Sequence, residues 1–502
     1  MGAVVSAAGI GAPASRTDGQ GADTGLRRGA IGLLSSVVIG VASTAPGYSL
    51  AATLGLIVAA VGFQAPAVLW VAFLPMLCIA SAYLYMNRTD PDCGTTFAWA
   101  SKAMGPWAGW LGGWAIIVAD IVVMANLAQI AGLYSFKLCG WDSAAASTAA
   151  VTAVGVMWIV VMTAVTTIGI ELSARTQWYL LSAEVVALTL FAVVALVRVY
   201  AGDASAAAAH PQPDWFSPFA IDGGTAALTT GVLLAVFIYW GWDSAVSVNE
   251  ETADPAESPG LSAVVSTTLL VGIYVLVATA AVAFAGTDAL AGKEDALSIL
   301  GTEVLGTTFD SLLILAVLTS AAASTQTTIL PTARTTLSMA RTGAMPARLG
   351  AVHPRSMTPH VATLLFGALS IAWYVGLTIV SENILLDSIA ALGLMIAFYY
   401  GLTGFACALY YRREVRRSAK GLLLAVVAPA VGGAILTWVL VTSIVDLSDP
   451  ANSASQASWL GVGPPLVIGI GFMVLGAVLM LVWSRRQRAF FRRRPEVFAS
   501  AQ

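Results

Sequence analysis

The chain has 502 residues, of which 58% are hydrophobic and only 10% are charged, and its formal net charge at pH 7 is −3. This composition excludes a soluble domain with a polar shell and is typical of a membrane protein. The small net charge gives no sign of a nucleic-acid partner.

Apolar runs alternate along the chain with short loops that carry most of the ionic residues. Each run is long enough to cross a bilayer core of about 30 Å. We therefore predict an all-α membrane protein with twelve transmembrane helices. In chain order the predicted spans are residues 29–60, 66–87, 105–136, 149–171, 176–199, 225–249, 261–286, 305–340, 360–380, 384–411, 421–446 and 464–484.

Residues 1–25 precede the first span, are rich in Ala, Gly and Ser, and are predicted to be disordered. The first span then contains "STAPGYS" at residues 43–49, in the middle of an otherwise apolar helix. Unwound backbone persists in a membrane only where it is buried in protein or lines a cavity. This break therefore predicts a binding site.

The chemistry of the first break comes from its backbone. Free N–H groups at the start of the second half-helix attract an anionic group such as a carboxylate. Pro46 has no N–H and suits the first position of that half-helix. The predicted substrate-binding groups are the amides of Ala45, Gly47 and Tyr48 and the hydroxyls of Ser43 and Thr44.

The third and fifth spans each carry one acidic residue. An ionised carboxylate at that depth costs a few kcal/mol or more unless it is paired, so each is a functional candidate. Asp120 is predicted to line the substrate cavity or to pair across helices. Glu184 is predicted to carry the coupling proton, because burial favours the neutral carboxyl group. The alternative for Glu184 is a hydrogen-bonded structural acid.

The sixth span is interrupted by "FIYWGWDSAVSVNEE" at residues 237–251, where Gly241 and Asp243 break the apolar pattern. Asp243 either binds a cationic group of the substrate, holds the backbone, or caps the second half-helix. The aromatic residues around the break either wall the pocket, stack on an ammonium group, or simply pack: Tyr239, Trp240 and Trp242. Two interrupted spans five apart indicate an inverted-repeat transporter.

Two neighbouring acidic residues follow the sixth span. Glu250 and Glu251 are predicted to pair with Arg341 or Arg334 as an inner gate, and the alternative is a solvated loop edge. Asp387, near the start of the tenth span, is predicted to lie in the extracellular mouth without a role. The four cysteines show no disulfide spacing and the three histidines lie in predicted loops, so neither a disulfide nor a metal site is predicted.

Lys and Arg cluster on one side of the twelve-span arrangement. The positive-inside rule then places both termini in the cytoplasm, and we predict a multi-pass protein of the plasma membrane. The basic tail, residues 485–502, is interpreted as a topology signal. The alternative is that it attracts anionic lipid.

Four stretches carry a resemblance to a known family. They are "DCGTTFAWASKAMGPWAGWLGGW" (92–114), "QWYLLSAEVVALTLFAVVAL" (177–196), "GWDSAVSVNEETADPAESPG" (241–260) and "TARTTLSMARTGAMP" (332–346). With these stretches the chain resembles the permeases of the amino acid–polyamine–organocation (APC) superfamily over nearly its whole length.

The resemblance implies a five-plus-five inverted repeat with broken helices 1 and 6 and two additional C-terminal helices. The implied transporter core is residues 26–411, with repeats at 29–199 and 225–411, followed by two further spans in 412–484. Substrate would bind at the two breaks. This sequence has Thr44-Ala45-Pro46 where many members have Gly-Ser-Gly, and Glu184 where many proton-linked members have lysine. Ser320, Ser324 and Thr325 lie where sodium-coupled relatives hold a cation.

We therefore predict a secondary active transporter, not an enzyme, that takes up amino acids or related amines by proton-coupled alternating access, with symport and antiport both left open. The acidic interior favours a cationic amino acid or a polyamine. No nucleotide-binding loop is present, and no cofactor is predicted. The alternatives are a sodium-coupled transporter of neutral amino acids and a nutrient receptor that keeps a transporter fold without turnover. A membrane-embedded enzyme is disfavoured because no catalytic cluster is recognisable. The oligomeric state is not predicted.

Overall fold

A computed structural model describes residues 25–293, 296–306, 311–413 and 418–496. These residues are almost entirely helical and contain no β-strand, only the isolated bridges Ile31–Thr252 and Trp459–Val462. Most of the predicted disordered N-terminus, four residues of the basic loop at 411–417 and the last six residues lie outside the described parts of the chain.

The structure has twenty α-helices within the described residues. They are α1 Leu33–Ser43, α2 Pro46–Val61, α3 Ala65–Thr89, α4 Thr96–Met104, α5 Pro106–Leu138, α6 Asp142–Ala145, α7 Thr148–Ile168, α8 Ile170–Ala201, α9 Gly224–Ile238, α10 Ser244–Ser247, α11 Ser258–Ala285, α12 Thr287–Leu290, α13 Ala296–Leu305, α14 Ser311–Arg341, α15 His360–Val380, α16 Glu382–Tyr410, α17 Ala419–Gly421, α18 Ala428–Asp446, α19 Pro464–Arg486 and α20 Arg488–Phe491.

Ten described helical stretches are long and apolar enough to cross a membrane. One of them, Leu33–Thr89, is 57 residues long and comprises α1, α2 and α3. The helix α9 has only 15 residues and spans about 22 Å at 1.5 Å per residue, which is less than a bilayer core. The count of twelve spans, the inverted repeat and the division into core and additional helices stay predictions.

The break in the first predicted span separates α1 from α2. Thr44 and Ala45 lie between the two helices, and Ala45 has a left-handed conformation with φ 47°. Pro46 begins α2, as its lack of an N–H group led us to expect. The first predicted span is therefore broken just before Pro46, the helix breaker of the sequence.

The break predicted at Gly241 and Asp243 within the sixth span, residues 225–249, separates α9 from α10. The helix α9 ends at Ile238, and the four-residue helix α10 begins at Ser244. Between them Gly241 has φ 115°, a conformation that side chains bearing a Cβ rarely adopt. The helix is interrupted here, at a backbone conformation that glycine adopts readily.

The centre of the bundle is α14, which is buried over most of its length and packs against α1, α2, α5 and α8. By contrast, α7, α8, α18 and α19 expose many large apolar side chains. Exposed apolar surface of this kind is stable only against lipid or another apolar partner. The arrangement places the polar residues of α14 beside the two breaks.

One end of the bundle collects basic side chains. There Arg88 pairs with Glu257, Lys102 pairs with Asp90, and Arg341 pairs with Glu250. We call this end the basic face, and it comprises residues 88–105, 249–257, 341–359 and 485–496.

Candidate functional site

The two breaks touch each other. A Cβ atom built on Gly241 would lie 2.6 Å from the carbonyl oxygen of Ser43. The hydroxyl groups of Ser43 and Ser244 are 2.8 Å apart, and the hydroxyl of Ser324 on α14 donates to the Ser43 carbonyl at 2.9 Å. The ends of α1 and α10 therefore meet against α14.

We expect Gly241→Ala to abolish transport while the protein is still produced. A Cβ at this φ costs about 1–3 kcal/mol, and here it also collides with the backbone of the first break. The measurement is substrate uptake at matched protein levels. The control is Gly272→Ala in the middle of α11, where a Cβ meets no atom within 4 Å. Equal uptake by the two variants would contradict the prediction.

The backbone amides at the first break donate within the protein in this structure. The Gly47 N–H donates to Oε1 of Glu184 at 2.7 Å, and the Tyr48 N–H donates to the hydroxyl of Ser320 at 3.2 Å. The Ala45 N–H donates to the Ala42 carbonyl at 3.2 Å. A substrate carboxylate would have to replace these acceptors, so its binding to these amides stays a prediction.

The two predicted hydroxyl groups of this break are also engaged. Thr44 donates to the carbonyl of Val41 at 2.7 Å, one turn back in α1. Ser43 contacts Ser244, as described above. Both side chains therefore stabilise the ends of the broken helices in this conformation.

Glu184 bridges α8 to the start of α2. Its side chain is fully buried, and Oε1 accepts the Gly47 hydrogen bond. The second oxygen, Oε2, is buried without a hydrogen-bond partner among the described residues. An ionised carboxylate with one oxygen lacking a hydrogen bond is costly in a low-dielectric interior. The geometry fits a group that gains and loses a proton.

Asp243 lies at the other break, held by tyrosine hydroxyls. Tyr400 donates to Oδ1 at 2.9 Å and Tyr399 to Oδ2 at 3.1 Å, with the Tyr83 hydroxyl more distant at 3.5 Å from Oδ2. The Asp243 side chain makes no capping hydrogen bond to α10, so capping is the one alternative that the structure contradicts. The carboxylate instead organises residues from α3 and α16.

The predicted aromatic residues have different neighbours. Tyr239 is fully buried, and its hydroxyl donates to the Leu69 carbonyl at 3.0 Å. Trp242 stacks on Tyr400 with ring centroids 5.2 Å apart. The indole N–H of Trp240 donates to the Tyr399 hydroxyl. Tyr239 and Trp242 therefore pack, and Trp240 alone of the three lines the cavity at the first break.

A narrow cavity opens beside the first break. Its lining comes from α1, α2, α5, α9 and α14 and consists of Ser43, Thr44, Ala45, Tyr48, Ser49, Val123, Leu127, Phe237, Trp240 and Ser324. The Tyr48 hydroxyl is buried without a partner among the described residues. Sequence analysis missed Val123 and Leu127, because nothing in an apolar helix marks which apolar residues face a site.

Asp120 does not line this cavity. It lies at the packed contact of α5, α14 and α15, where the Thr332 hydroxyl donates to its Oδ2 at 2.6 Å. Thr328 and Ser370 lie beside it. Of its two predicted roles, pairing across helices is the one visible here. Asp120 contacts neither break by a hydrogen bond among the described residues, and its partner there is Thr332.

Two ion pairs lie at the basic face. Arg334 Nε lies 2.6 Å from Glu251 Oε2, and the two side chains are only 1% and 0% exposed. Arg341 lies 2.8 Å from Glu250, and these side chains are 28% and 11% exposed. Both predicted glutamates thus have a basic partner, one pair deeply buried and one near the surface.

Asp92 and Cys93 lie beside the outer pair. The Cys93 N–H donates to Glu250 Oε1 at 3.2 Å, and Asp92 accepts from the Ser338 hydroxyl at 2.6 Å. Burial raises the pKa of Asp92 to about 6, although hydrogen bonds from Ser338 and Gly94 oppose the shift. Burial also raises the pKa of Glu251, against the effect of Arg334.

Asp92, Cys93 and Glu250 are also the one group of described residues whose spacing suits a metal ion, since their ligand atoms lie within 4.8 Å of one another. The Arg341 guanidinium, however, already contacts both oxygens of Glu250, at 3.1 and 2.8 Å. A cation would have to displace this arginine. The arrangement therefore fits an ion-pair network better than a metal centre.

Comparisons with known proteins agree with this picture of a membrane transporter. The family model described as amino acid permease matches residues 29–483. The uncharacterized transporter Rv1999c of Mycobacterium tuberculosis is 29% identical over 346 residues, which cover 67% of this chain and 72% of the relative. The branched-chain amino acid permease BcaP of Lactococcus lactis is 24% identical over 214 residues, covering 39% of this chain and 44% of the relative.

Proposed function

This chain belongs to the amino acid permease family of the APC superfamily, and from that membership we propose that it is a secondary active transporter of amino acids or related amines. It takes them up across the plasma membrane by alternating access, in symport with protons. The basic face is the cytoplasmic side, with both termini there. The fold is a five-plus-five inverted repeat with two additional helices.

The observation that carries the proposal is the hydrogen bond between Glu184 and the Gly47 amide where the broken helices meet. A protonated Glu184 loses the charge that favours its position at a helix N-terminus. The Gly47 amide is then available to a substrate carboxylate. Protonation and substrate binding therefore favour each other, which is the requirement for symport.

The substrate class follows from the groups at the cavity. In an amino acid substrate the carboxylate takes the place of Glu184 at the start of α2, and the ammonium group lies among the carbonyls and hydroxyls at the end of α1. The acidic interior favours a cationic amino acid or a polyamine, although a polyamine has no carboxylate and would bind through its ammonium groups alone. A second candidate substrate is a neutral amino acid with an apolar side chain, because the apolar residues Val123, Leu127 and Phe237 line the cavity.

The two ion pairs on the basic face form the inner gate in this proposal. Opening toward the cytoplasm separates Glu250 from Arg341 and moves the buried pair of Glu251 and Arg334. Aqueous access then reaches the cavity at the first break.

Counterflow in proteoliposomes tests the proposal. Vesicles loaded with unlabelled arginine, leucine or putrescine should accumulate the same labelled compound, because exchange requires alternating access. An inward proton gradient should drive net uptake, and a protonophore should abolish it. Binding without exchange would favour a receptor. Uptake driven by a sodium gradient at equal pH, and insensitive to protonophore, would favour the sodium-coupled alternative.

A further inference from the structure

The segment after α19 folds back onto the basic face. Its short helix α20 buries Phe490 and Phe491, which are 2% and 7% exposed. The Phe490 ring stacks on Phe97 of α4 with centroids 5.9 Å apart, and Phe491 lies 4.8 Å from Trp107 of α5. A helix of four residues is not stable alone, so these contacts hold the segment in place.

The same segment holds the residues that follow α14. Arg493 donates to the Thr342 carbonyl at 3.3 Å, and Trp483 at the end of α19 donates to the Gly343 carbonyl at 3.0 Å. On the other side, the Glu496 N–H donates to the Lys102 carbonyl at 2.6 Å. Thr342 directly follows Arg341, so the segment ties α4 to the helix end that carries the gate arginine.

The surface of this segment is cationic. Six arginines lie within ten residues, all of them exposed and none in a salt bridge with a described acidic residue: Arg485, Arg486, Arg488, Arg492, Arg493 and Arg494. Arg493 belongs to the docked contacts, because its guanidinium also lies 5.4 Å from the Phe490 ring centroid. The other five lie in the last turn of the apolar helix α19 or shortly after it, where the anionic headgroups of a cytoplasmic leaflet would lie.

We propose that residues 484–496 form a latch on the inner gate, and that anionic phospholipid headgroups bind its exposed arginines and keep it docked. The docked latch holds the end of α14 against α4 and slows opening toward the cytoplasm. The lipid charge of the membrane therefore regulates the transporter. The gate itself rests on the proposed function, but latch binding by lipid does not require transport.

Cys93 provides a reporter of gate opening. It is fully buried beside Glu250, and its thiol donates to the Arg334 carbonyl at 3.4 Å. Burial raises the pKa of this thiol well above its usual value, so it is neutral and unreactive while the gate is closed. Replacing Cys78, Cys139 and Cys407 with serine leaves Cys93 as the single target for a maleimide.

The experiment measures the labelling rate of Cys93 in the full-length protein, in vesicles of phosphatidylcholine alone or mixed with phosphatidylglycerol. We expect several-fold slower labelling with phosphatidylglycerol. Changing five exposed arginines to glutamine should remove this difference without disturbing the fold: Arg485, Arg486, Arg488, Arg492 and Arg494. Phe490→Ala with Phe491→Ala should label rapidly in both lipids.

The matched control is Arg412→Gln with Arg413→Gln, which removes two exposed arginines that follow α16. This variant should retain the lipid effect. The proposal is overturned if wild-type labelling is equal in the two lipids, or if the lipid effect persists in the five-arginine variant. Labelling requires no substrate, so failure of the transport assay and failure of the latch are separate results.

Discussion

Arg334→Met is expected to destabilise the folded protein by about 3–5 kcal/mol, because it leaves the carboxylate of Glu251 buried without its partner. Both side chains are essentially inaccessible to water, so water cannot solvate the Glu251 carboxylate once the arginine is removed. The measurement is the thermal unfolding temperature of the purified protein, with the fraction of soluble protein after heating as a second readout.

The control is Arg341→Met in the neighbouring ion pair. This pair is partly exposed, and its loss should cost less than about 1 kcal/mol. The double variant Arg334→Met with Glu251→Met should recover much of the stability, because it removes both charges together. Equal unfolding temperatures for the two single arginine variants would refute the argument from burial.

The effect of Arg334→Met should also depend on pH. Burial raises the pKa of Glu251, so the folded state binds this proton more tightly than the unfolded state does. The contribution of Glu251 to the free energy of unfolding is therefore greatest at low pH and falls as the pH rises through the folded-state pKa of this carboxyl group. Without Arg334 the pKa rises further, so the loss should be smaller in acid than at neutral pH.

Glu184→Gln is expected to abolish proton-driven uptake while exchange of bound substrate persists. The glutamine carbonyl can still accept from the Gly47 amide, but the side chain no longer gains or loses a proton. A hydrogen bond to a charged group is worth about 1.5–3 kcal/mol and one to a neutral group about 1 kcal/mol, so the neutral glutamine holds the Gly47 amide less strongly than the carboxylate does and substrate affinity should rise roughly tenfold. The measurements are uptake against pH and counterflow at fixed pH.

The chain offers a control on the same helix. Glu171→Gln changes an exposed carboxylate of α8 that pairs with Arg27, and both side chains are about half exposed, at 48% and 49%. Its uptake should keep the pH profile of the wild type. If Glu184→Gln likewise retained proton-driven uptake with an unchanged profile, Glu184 would not be the proton carrier.

The sequence predicted those local features of the structure that have local causes. Pro46 begins α2 because proline lacks the amide that a helix interior requires. Gly241 interrupts the sixth span because a positive φ suits a residue without Cβ. The sequence predicted the break of the sixth span at Gly241 and Asp243, whereas its bounds, from the end of α9 at Ile238 to the start of α10 at Ser244, came from the structure.

The hydrogen-bond partners of Glu184 and Asp243 were not predictable in the same way. Glu184 meets the Gly47 amide across 137 residues of chain, and Asp243 meets Tyr400 across 157. Nothing near either residue in sequence indicates these contacts. For the two glutamates the sequence offered Arg341 and Arg334 as alternative partners, and only the structure assigns Arg334 to Glu251 in a fully buried pair.

The sequence by itself determined the class of the protein. Long apolar runs, two breakers five predicted spans apart and the motifs of a permease family follow from what a bilayer permits a backbone to do. The tertiary structure alone decided which groups share a site. It placed Glu184 on the amide of the first break, paired Asp120 with Thr332 of α14 and enclosed Asp243 among tyrosines. The physical reason is that side-chain contacts between helices depend on their rotation and depth, which an apolar sequence pattern does not encode.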